Sequence, residues 1–345
     1  MDNFNILLTS SGRRSYLVQY FRDALNGKGF VHASNSEWSS ALEVADKAVI
    51  TPLIYSDTYI DFIFDYCIKN KIGAIVSLFD VDLPILALSK KRFQEAGISV
   101  IVSDYEVTQI CNDKWKSFSF LNAHQINTPK TYIELDKVLN DLNDKIIDYP
   151  LIIKPRWGMG SIFVYRVENE QELRVLYSKV KREINGNYLK YESQVDPERT
   201  VVIQEFIDGQ EYGVNVINNF QMQYVATFII KKTEMRAGET YSAKTQKNDI
   251  LDQTGRKIGN SLGHTTSLDI DCIVNNDVPY IIDMNCRIGG VYPFIHLTGI
   301  NLPKAIINWI KGEEALNELS NYKSNVEGYK DLVIHASTKK LRNFQ

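Results

Sequence analysis

The first hundred residues of the chain alternate between short apolar runs and amphipathic segments. The apolar runs FNILLTS, FVHASN, IGAIVSLF and ISVIVS are predicted strands, and RSYLVQYFRDAL, DTYIDFIFDYCIKNK and PILALSKKRFQEAG have the apolar spacing of helices. Strands that alternate with helices across short turns predict a parallel, doubly wound sheet. We therefore expect an α/β domain over residues 1–110.

Polar residues follow two of these predicted strands, at the carboxyl ends where such sheets bind ligands. TSSGRRS places Gly12, Arg13 and Arg14 at the start of a helix, where backbone N–H groups favour anions. These residues either bind a substrate anion or form a solvated helix start. Asp80 and Asp82, in FDVD, either bind a substrate amine or cap the next helix.

Beyond Cys111 the pattern becomes that of an α+β chain. NDKWKSFSFLNAHQI and QELRVLYSKVKREI are predicted helices, and YPLIIKPRWGMGSIFVYRV is a predicted strand, loop and strand. Turn signals separate the predicted strands TVVIQEFI, QEYGVNVIN and FQMQYVATFII, which favours antiparallel pairing. We expect the polar segment NGNYLKYESQVDPER to be an exposed loop.

Composition limits the classes of function. The 345 residues are 44% hydrophobic and 23% charged, which is typical of a globular protein, and the net charge of −3 provides no basic field for nucleic acid. Four cysteines without CxxC spacing argue against a disulfide scaffold or a structural zinc site. We expect no signal peptide and no membrane span, and hence a cytoplasmic protein.

The segment LIIKPRWGMGS places Lys154 at a strand end, just before Gly158, Met159, Gly160 and Ser161. Glycines let backbone N–H groups approach phosphate oxygens closely, and a lysine adds a positive charge. The lysine precedes the glycines, so the segment is not a Walker A loop. Taken alone, the same glycines also fit an ordinary hairpin turn.

Two acids flank a predicted hairpin in LDIDCIVNNDVPYIIDMNCRIGG. Asp271 and Asp283 are expected to lie side by side on neighbouring strands, because the turn falls near their midpoint. With the amide oxygen of Asn285 they form a set of hard oxygen donors that suits Mg²⁺ bridged to phosphates. The alternative places the two acids on opposite faces of the sheet.

A further hairpin is predicted over VIQEFIDGQEYGVN. Its acids are either solvated or functional. In the functional interpretation the strand end pairs with the edge of an adenine and a carboxylate holds ribose hydroxyls.

Taken in sequence order, Lys114, Lys154-Pro155, GMGS, QEFIDGQEY, LDIDC and DMNCRIGG resemble the ATP-grasp superfamily, and most closely the proteins related to the carbamoyl phosphate synthase large subunit. The resemblance implies ATP bound between two antiparallel sheets, behind the parallel N-terminal domain. It divides the chain into residues 1–110, a small lobe at 111–195, a large lobe with the metal site at 196–315, and a tail at 316–345.

The resemblance also implies a role for each matching residue. Lys114 and Lys154 would contact the α and β phosphates, and the 158–161 loop would cover the β and γ phosphates. One or two Mg²⁺, with Mn²⁺ as an alternative, would bind to Asp271, Asp283 and Asn285. Arg287 and Lys154 would act in catalysis, and Arg236 would lie near the acyl site. The adenine would be lined by Gln204, Glu205, Phe206 and Ile207, the ribose would be bound by Glu211, and Gly289 and Gly290 would let the backbone approach the acyl group.

The chemistry that the resemblance implies is ATP-dependent activation of a carboxylate and its capture by a nucleophile, commonly an amine. Only one ATP-grasp unit fits in 345 residues, so carbamoyl phosphate synthesis is not predicted. The alternatives are a non-catalytic nucleotide-binding subunit and a kinase-like enzyme with another acceptor. The expected partners are small-molecule substrates and a second copy of the chain in a homodimer.

Overall fold

The computed structural model describes residues 4–337, and its first domain is the predicted parallel sheet. The sheet has the strand order β3-β2-β1-β4-β5. The chain runs from β1 through β2 to β3 on one side and then crosses to β4 on the other side of β1, so the strand order reverses there and a crevice forms at the carboxyl ends of β1 and β4. The strands are β1 (Asn5–Thr9), β2 (Val31–Asn35), β3 (Lys47–Ile50), β4 (Ile72–Ser77) and β5 (Ser99–Ile101).

Helices cover this sheet by burying one face each. Helix α1 buries Leu17, Val18, Phe21 and Leu25, which recur at helical spacing. Strand β3 and helix α2 were not predicted, because β3 has no fully buried residue and α2 spans little more than one turn. The helices are α1 (Ser15–Leu25), α2 (Ser40–Val44), α3 (Tyr59–Lys69) and α4 (Leu83–Glu95).

The small lobe is a four-stranded antiparallel sheet with the order β6-β9-β7-β8. Helices α5 (Tyr105–Asn112) and α6 (Lys114–Ala123) lead into it. Its strands are β6 (Thr131–Tyr132), β7 (Leu151–Pro155), β8 (Tyr165–Val167) and β9 (Val201–Glu205), and its helices are α7 (Leu135–Asn143), α8 (Glu170–Asn185) and α9 (Leu189–Glu192).

Two expectations for the small lobe are wrong. Strand β9 is hydrogen-bonded between β6 and β7, so the lobe extends to residue 205 and does not end at 195. The predicted loop NGNYLKYESQVDPER contains α9 and a 3₁₀ turn at Ser193–Val195. Its Leu189 is buried in the core of the lobe, which gives the polar segment an apolar anchor.

The large lobe is a six-stranded antiparallel sheet with the order β14-β13-β10-β11-β12-β15. Its strands are β10 (Gln210–Asn218), β11 (Tyr224–Arg236), β12 (Glu239–Gln246), β13 (Thr266–Asn275), β14 (Val278–Asn285) and β15 (Glu327–Tyr329). Its helices are α10 (Asp249–Leu262), α11 (Tyr292–His296) and α12 (Leu302–Ile310), followed by a 3₁₀ turn at Leu316–Leu319.

The prediction of a tail at residues 316–345 is also wrong in part. Residues 327–329 form β15 and pair with β12 at the edge of the large sheet. The last residues of the predicted tail, 338–345, lie outside the described residues.

The hydrophobic cores show which parts pack together. Phe21 of the parallel domain shares a core with Phe228 and Tyr292 of the large lobe, whereas the small lobe has a core of its own. The parallel domain and the large lobe thus form one packed unit, and the small lobe is attached to it. Among residues 4–337, no helix is long and apolar enough to cross a membrane.

Candidate active site

The predicted pair of acids is present in the hairpin of β13 and β14. Asp271 lies opposite Asp283, and Asp269 lies opposite Asn285. Residues directly opposite each other on antiparallel strands point to the same face. One face of the hairpin therefore carries three carboxylates and an amide side by side.

A one-residue bulge at Ile282 creates this alignment. Near the turn the ladder pairs Cys272 with Ile281, and the next pair is Asp271 with Asp283, so Ile282 has no partner. A regular hairpin would place Ile282 opposite Asp271 and would turn Asp283 to the other face. Bulges are common at sheet edges and beside active sites, and β14 is an edge strand.

Two lysines approach Asp283 from the small lobe and from α6. Lys114 Nζ lies 3.7 Å from Asp283 Oδ1 and donates a 2.6 Å hydrogen bond to the carbonyl oxygen of Gly158. Lys154 Nζ lies 3.4 Å from the carbonyl oxygen of the bulged Ile282. Burial, with the charge of Lys114 as the next cause, lowers the pKa of Lys154 to about 8.

A third lysine, Lys232, was missed by the sequence analysis. Its Nζ donates to Asp271 Oδ1 and to Glu211 Oε1, both at 2.6 Å, and the residue is 6% exposed. Burial opposes its charge, but the two carboxylates raise its pKa overall. The signal in the sequence is a lysine inside the apolar strand FIIKK. Glu211, predicted to bind ribose, thus lies beside Asp271 in the structure.

The donors at this strand end fit a divalent cation that shares phosphate ligands. Asp271 and Asp283 have side chains 34% and 20% exposed, so both are partly accessible, and Asn285 adds an amide oxygen. Within residues 4–337, no three His, Cys, Asp or Glu side chains are grouped to hold a metal by themselves. A hard cation such as Mg²⁺ commonly completes its shell with phosphate oxygens and water.

Arg287 follows the end of β14 and joins two parts of the molecule. Its Nη2 lies 3.0 Å from Asp80 Oδ2 of the parallel domain, and its Nη1 lies 3.3 Å from Asp269 Oδ2 of β13. The Oδ1 atoms of both acids are buried and have no hydrogen-bond partner in the described structure. Burial raises the pKa of Asp269. Asp269 was missed, although its position two residues before Asp271 signals a shared face.

Gly289 is required for this arrangement. A Cβ atom on Gly289 would lie 1.6 Å from Asp269 Oδ2, whereas one on Gly290 would meet only Lys330 Nζ at 3.7 Å. The close backbone approach predicted at Gly289 is therefore made to the carboxylate of Asp269.

A cleft between the lobes meets these residues at Lys114 and Asp283. One end is mainly apolar and is lined by Phe118, Leu121, Gln204 and Met284. The other end is lined by Asp80, Trp157, Gly158, Met159 and Glu192. Apart from the shared Lys114 and Asp283, the first end (the apolar end) has no charged lining residue, whereas the second end adds Asp80 and Glu192.

The predicted adenine residues lie at the end of β9. The Gln204 side chain is buried and donates to Thr131 Oγ1 at 2.8 Å, and Glu205 Oε2 accepts from the backbone N–H of Lys130 at 3.3 Å. The ring of Phe206 lies under the guanidinium of Arg166. Ile207 follows the end of β9 and is half-buried.

The predicted glycine loop and the tip of the β11–β12 hairpin meet above the cleft. Gly158 and Gly160 have φ of 127° and 65°, which favour glycine, and Ser161 has φ of 56°. A Cβ atom on Gly238 would lie 2.9 Å from the carbonyl oxygen of Gly160. Arg236 is 60% exposed, pairs with Glu234 at 2.8 Å and stacks on Tyr241, so the structure does not bring it together with Arg287.

The substrate residues predicted in the parallel domain differ in their surroundings. Arg13 is exposed and pairs with Glu239 at 2.9 Å, and Gly12 occupies the left-handed turn before it, with φ of 50°. Asp82 is fully buried and accepts hydrogen bonds from Ser10, Ser77 and Tyr59. It therefore joins the ends of β1 and β4, and both its predicted roles are wrong: it is closed to a ligand, and its side chain makes no cap hydrogen bond.

Two family models match the chain. The PylC-like N-terminal domain matches residues 6–101, and the ATP-grasp domain matches residues 111–291, more than half of the chain.

The curated relatives include the carbamoyl phosphate synthase large chain of Helicobacter pylori, which is 25% identical over 82% of this chain and 26% of the relative. The chain thus spans about a quarter of that relative. The carbamoyl-phosphate synthase of Methanobrevibacter smithii is 20% identical over 93% of this chain and 80% of the relative.

Solved structures share the fold. The biotin carboxylase domain of Hydrogenobacter thermophilus 2-oxoglutarate carboxylase, solved with MgADP and bicarbonate, has a TM-score of 0.74 at 17% identity, covering 95% of this chain and 74% of that one. The L-amino acid ligase of Bacillus licheniformis has a TM-score of 0.67 at 20% identity, covering 95% and 80%. With the family model, the register of the acids and the lysines around Asp283, these likenesses lead to one conclusion: the chain belongs to the ATP-grasp family.

Proposed function

We propose that the protein is an ATP-dependent ligase that activates a small-molecule carboxylate as an acyl phosphate and transfers the acyl group to an amine. The observation that carries the proposal is the strand end of β14, where Asp271 lies opposite Asp283 and Lys114 approaches the same carboxylate. Arg287 follows directly and lies beside the parallel domain. The lysine proposed to bind phosphate thus lies close to the crevice of the parallel domain that is proposed to bind the substrate.

The nucleotide would lie along the cleft with its adenine at the apolar end, beside Gln204 and Met284. Its phosphates would reach Lys114 and Lys154, under the loop of residues 158–161. The N–H groups of a glycine loop and two ammonium groups can neutralise a triphosphate. The role of Glu211 in binding ribose stays a prediction, since Lys232 now occupies one of its oxygens.

Asp271, Asp283 and Asn285 would hold one or two Mg²⁺, which when bound would neutralise charge on the phosphates. Asp283 is one methylene shorter than a glutamate, so its reach is shorter. The protein's own contribution is to fix these oxygens on one face through the bulge at Ile282.

The proposed reaction has two steps. A carboxylate oxygen attacks the γ-phosphorus of ATP, and ADP leaves. The amine then attacks the acyl carbon, loses a proton, and phosphate leaves. Arg287 would orient the carboxylate and stabilise the charge that develops on its oxygens, because a fixed guanidinium stabilises a transition state without reorganising. A catalytic role for Arg236 has the least support, because its side chain is exposed and paired with Glu234.

The first test is thermal unfolding with ADP or ATP, with and without Mg²⁺, on wild type and on Asp283→Asn. A ligand at a hundred times its dissociation constant stabilises a protein by about 2.7 kcal/mol, a shift of several degrees. We expect Mg²⁺–nucleotide to raise the midpoint of wild type and to raise that of Asp283→Asn far less.

A screen of carboxylates and amines for ADP release follows. Turnover that requires both substrates supports a ligase, and turnover with a single non-carboxylate acceptor indicates a kinase. Nucleotide binding without turnover would indicate a non-catalytic subunit. No response of either protein to nucleotide would overturn the proposal. A cytoplasmic location and a homodimer stay predictions, to be tested by fractionation and by sedimentation.

A further inference from the structure

Arg14, at the start of α1, is a cation without a partner. It occupies the N-cap position of α1, makes no side-chain cap hydrogen bond, and has no acid beside it in the first turn of the helix. Within residues 4–337, its guanidinium forms no salt bridge or hydrogen bond. Burial, with the charge of Arg287 as the next cause, lowers its pKa. Arg14 is half-buried, and a partly buried, unpaired charge beside another cation carries a cost that a bound anion would offset.

A second cation, Lys330, reaches the same place from the far end of the chain. It follows β15, and its backbone N–H donates to the carbonyl oxygen of Tyr241 at 2.8 Å. Its side chain is 25% exposed, and Nζ lies 3.7 Å from the position of a Cβ atom on Gly290. Burial lowers its pKa; the carboxylates of Glu239 and Asp269 oppose that shift, and the charges of Arg14 and Lys232 add to it.

The carboxylates near these two cations are already committed. Glu239 lies 3.9 Å from Lys330 Nζ but is 2.9 Å from Arg13, and Asp80 and Asp269 both bind Arg287. Lys232 and Arg287 each contact two acids, whereas Arg13, Arg14 and Lys330 are grouped around the single carboxylate of Glu239. The charge balance is therefore uneven across the site, and positive charge is left over at Arg14 and Lys330.

We propose that Arg14 and Lys330 form a subsite for an anionic group of the substrate, separate from the carboxylate that is activated. This inference rests on the proposed function and names the substrate class: an acid that carries a second carboxylate or a phosphate. Both groups present oxygen atoms that an arginine and a lysine can share. Arg14 lies within the matched N-terminal domain, whereas Lys330 lies beyond residue 291, where the second family match ends.

The test is calorimetric binding of succinate, propionate and inorganic phosphate to the whole chain saturated with MgADP. We expect wild type to bind succinate or phosphate, and Lys330→Met and Arg14→Met each to weaken that binding at least tenfold. Lys311→Met is the matched control, because Lys311 is exposed after α12, and it should change binding less than twofold. The affinity for propionate, which has one carboxylate, should change less than threefold in all variants.

The outcomes separate this proposal from the proposed function. Preference for succinate assigns a second carboxylate, and preference for phosphate assigns a phosphorylated substrate. If phosphate binds at Lys114 and Lys154 instead, Lys330→Met will not change its affinity, and that result overturns the subsite. So does a wild type that binds MgADP but none of the three probes.

If MgADP itself does not bind, the proposed function fails, and the same titrations on nucleotide-free protein decide the subsite. Two controls exclude misfolding as the cause of weaker binding. The ligand-free variants should unfold at the same midpoint as wild type, and Arg14→Lys should recover most of the binding.

Discussion

Two buried arginines, Arg156 and Arg287, each connect two parts of the molecule through two carboxylates. Arg156 binds Asp113 through two parallel contacts of 2.8 Å and Asp196 through a third of 2.8 Å. Arg287 contacts Asp80 and Asp269 at 3.0 to 3.3 Å, and each acid keeps a buried oxygen without a partner. The two sites have the same residue types and similar burial. Only at Arg156 do all the buried carboxylate oxygens have hydrogen-bond partners.

The difference separates a structural ion pair from a site prepared for a ligand. Asp113 also caps α6, the helix that begins with Lys114, so Arg156 helps to position Lys114 at the cleft. Buried polar groups without partners are rare in folded proteins and cost stability. The two free oxygens beside Arg287 therefore indicate a place where the chain gives up stability, as active sites commonly do.

The largest effect on stability is expected for Arg156→Met. Removing one partner of a buried ion pair leaves the other charge uncompensated and costs about 3–5 kcal/mol. Unfolding in urea should show this loss. Arg156→Met combined with Asp113→Asn should recover part of it, since no buried charge is then unpaired. A loss below about 1 kcal/mol in the single variant would mean that Arg156 is not the structural member of the two.

Arg287→Lys should instead affect activity. A lysine keeps the charge but cannot contact Asp80 and Asp269 in the same planar arrangement, so stabilisation of the reacting group is lost. We expect kcat/KM for ATP turnover to fall about 100- to 1,000-fold. Arg156→Lys is the matched variant and should lose more stability than Arg287→Lys. If both variants lose the same stability and Arg287→Lys keeps full activity, the two arginines do not differ in role.

Gly289→Ala tests the contact between Asp269 and Arg287 without changing a charge. The added Cβ atom would overlap Asp269 Oδ2, so the carboxylate must turn away from the arginine. Overpacking of this kind costs about 1–3 kcal/mol, measured by urea unfolding. Gly290→Ala is the control, because its Cβ atom meets no atom closer than 3.7 Å. A cost as large at Gly290 would show that backbone conformation, and not Asp269, sets the effect.

The affinity for nucleotide should depend on pH through Lys154. Burial lowers the pKa of Lys154 to about 8, so its ammonium is charged below pH 8 and neutral above it. The affinity for MgADP should thus fall as pH rises through 8, by up to about tenfold per pH unit. Calorimetry from pH 6.5 to 9.5 on wild type and on Lys154→Met checks this. The variant should bind weakly with no break near pH 8, and a break retained in Lys154→Met would assign the titration to another group.

Local periodicity was sufficient to predict the parallel domain and the antiparallel strands, and counting across a turn predicted the pairing of Asp271 with Asp283. The division into two lobes followed from the family resemblance. The bulge that makes the pairing work was not predictable. Three contacts surround the bulge. The backbone N–H of Ile281 donates to the carbonyl oxygen of Asn127, the Thr128 hydroxyl donates to the carbonyl oxygen of Ile281, and Lys154 Nζ contacts the carbonyl oxygen of Ile282, so every partner is distant in sequence.

The missed residues have a similar explanation. Lys232 and Asp269 acquire their roles from neighbours on other strands, and Lys330 from an edge strand of three residues, too short to show a period. The boundary at residue 195 was wrong because β9 joins a sheet whose other strands precede it by up to 70 residues in the chain.

The pairing of β15 with β12 has a consequence for the synthesis of the chain. Domains emerge from the ribosome with the N-terminal parts first, so the parallel domain and most of the large sheet are available before β15. The large sheet gains its last strand, and Lys330 approaches Arg14, only after nearly the whole described chain has been translated. A nascent chain can therefore form the cleft proposed for the nucleotide before the proposed subsite of Arg14 and Lys330 is complete.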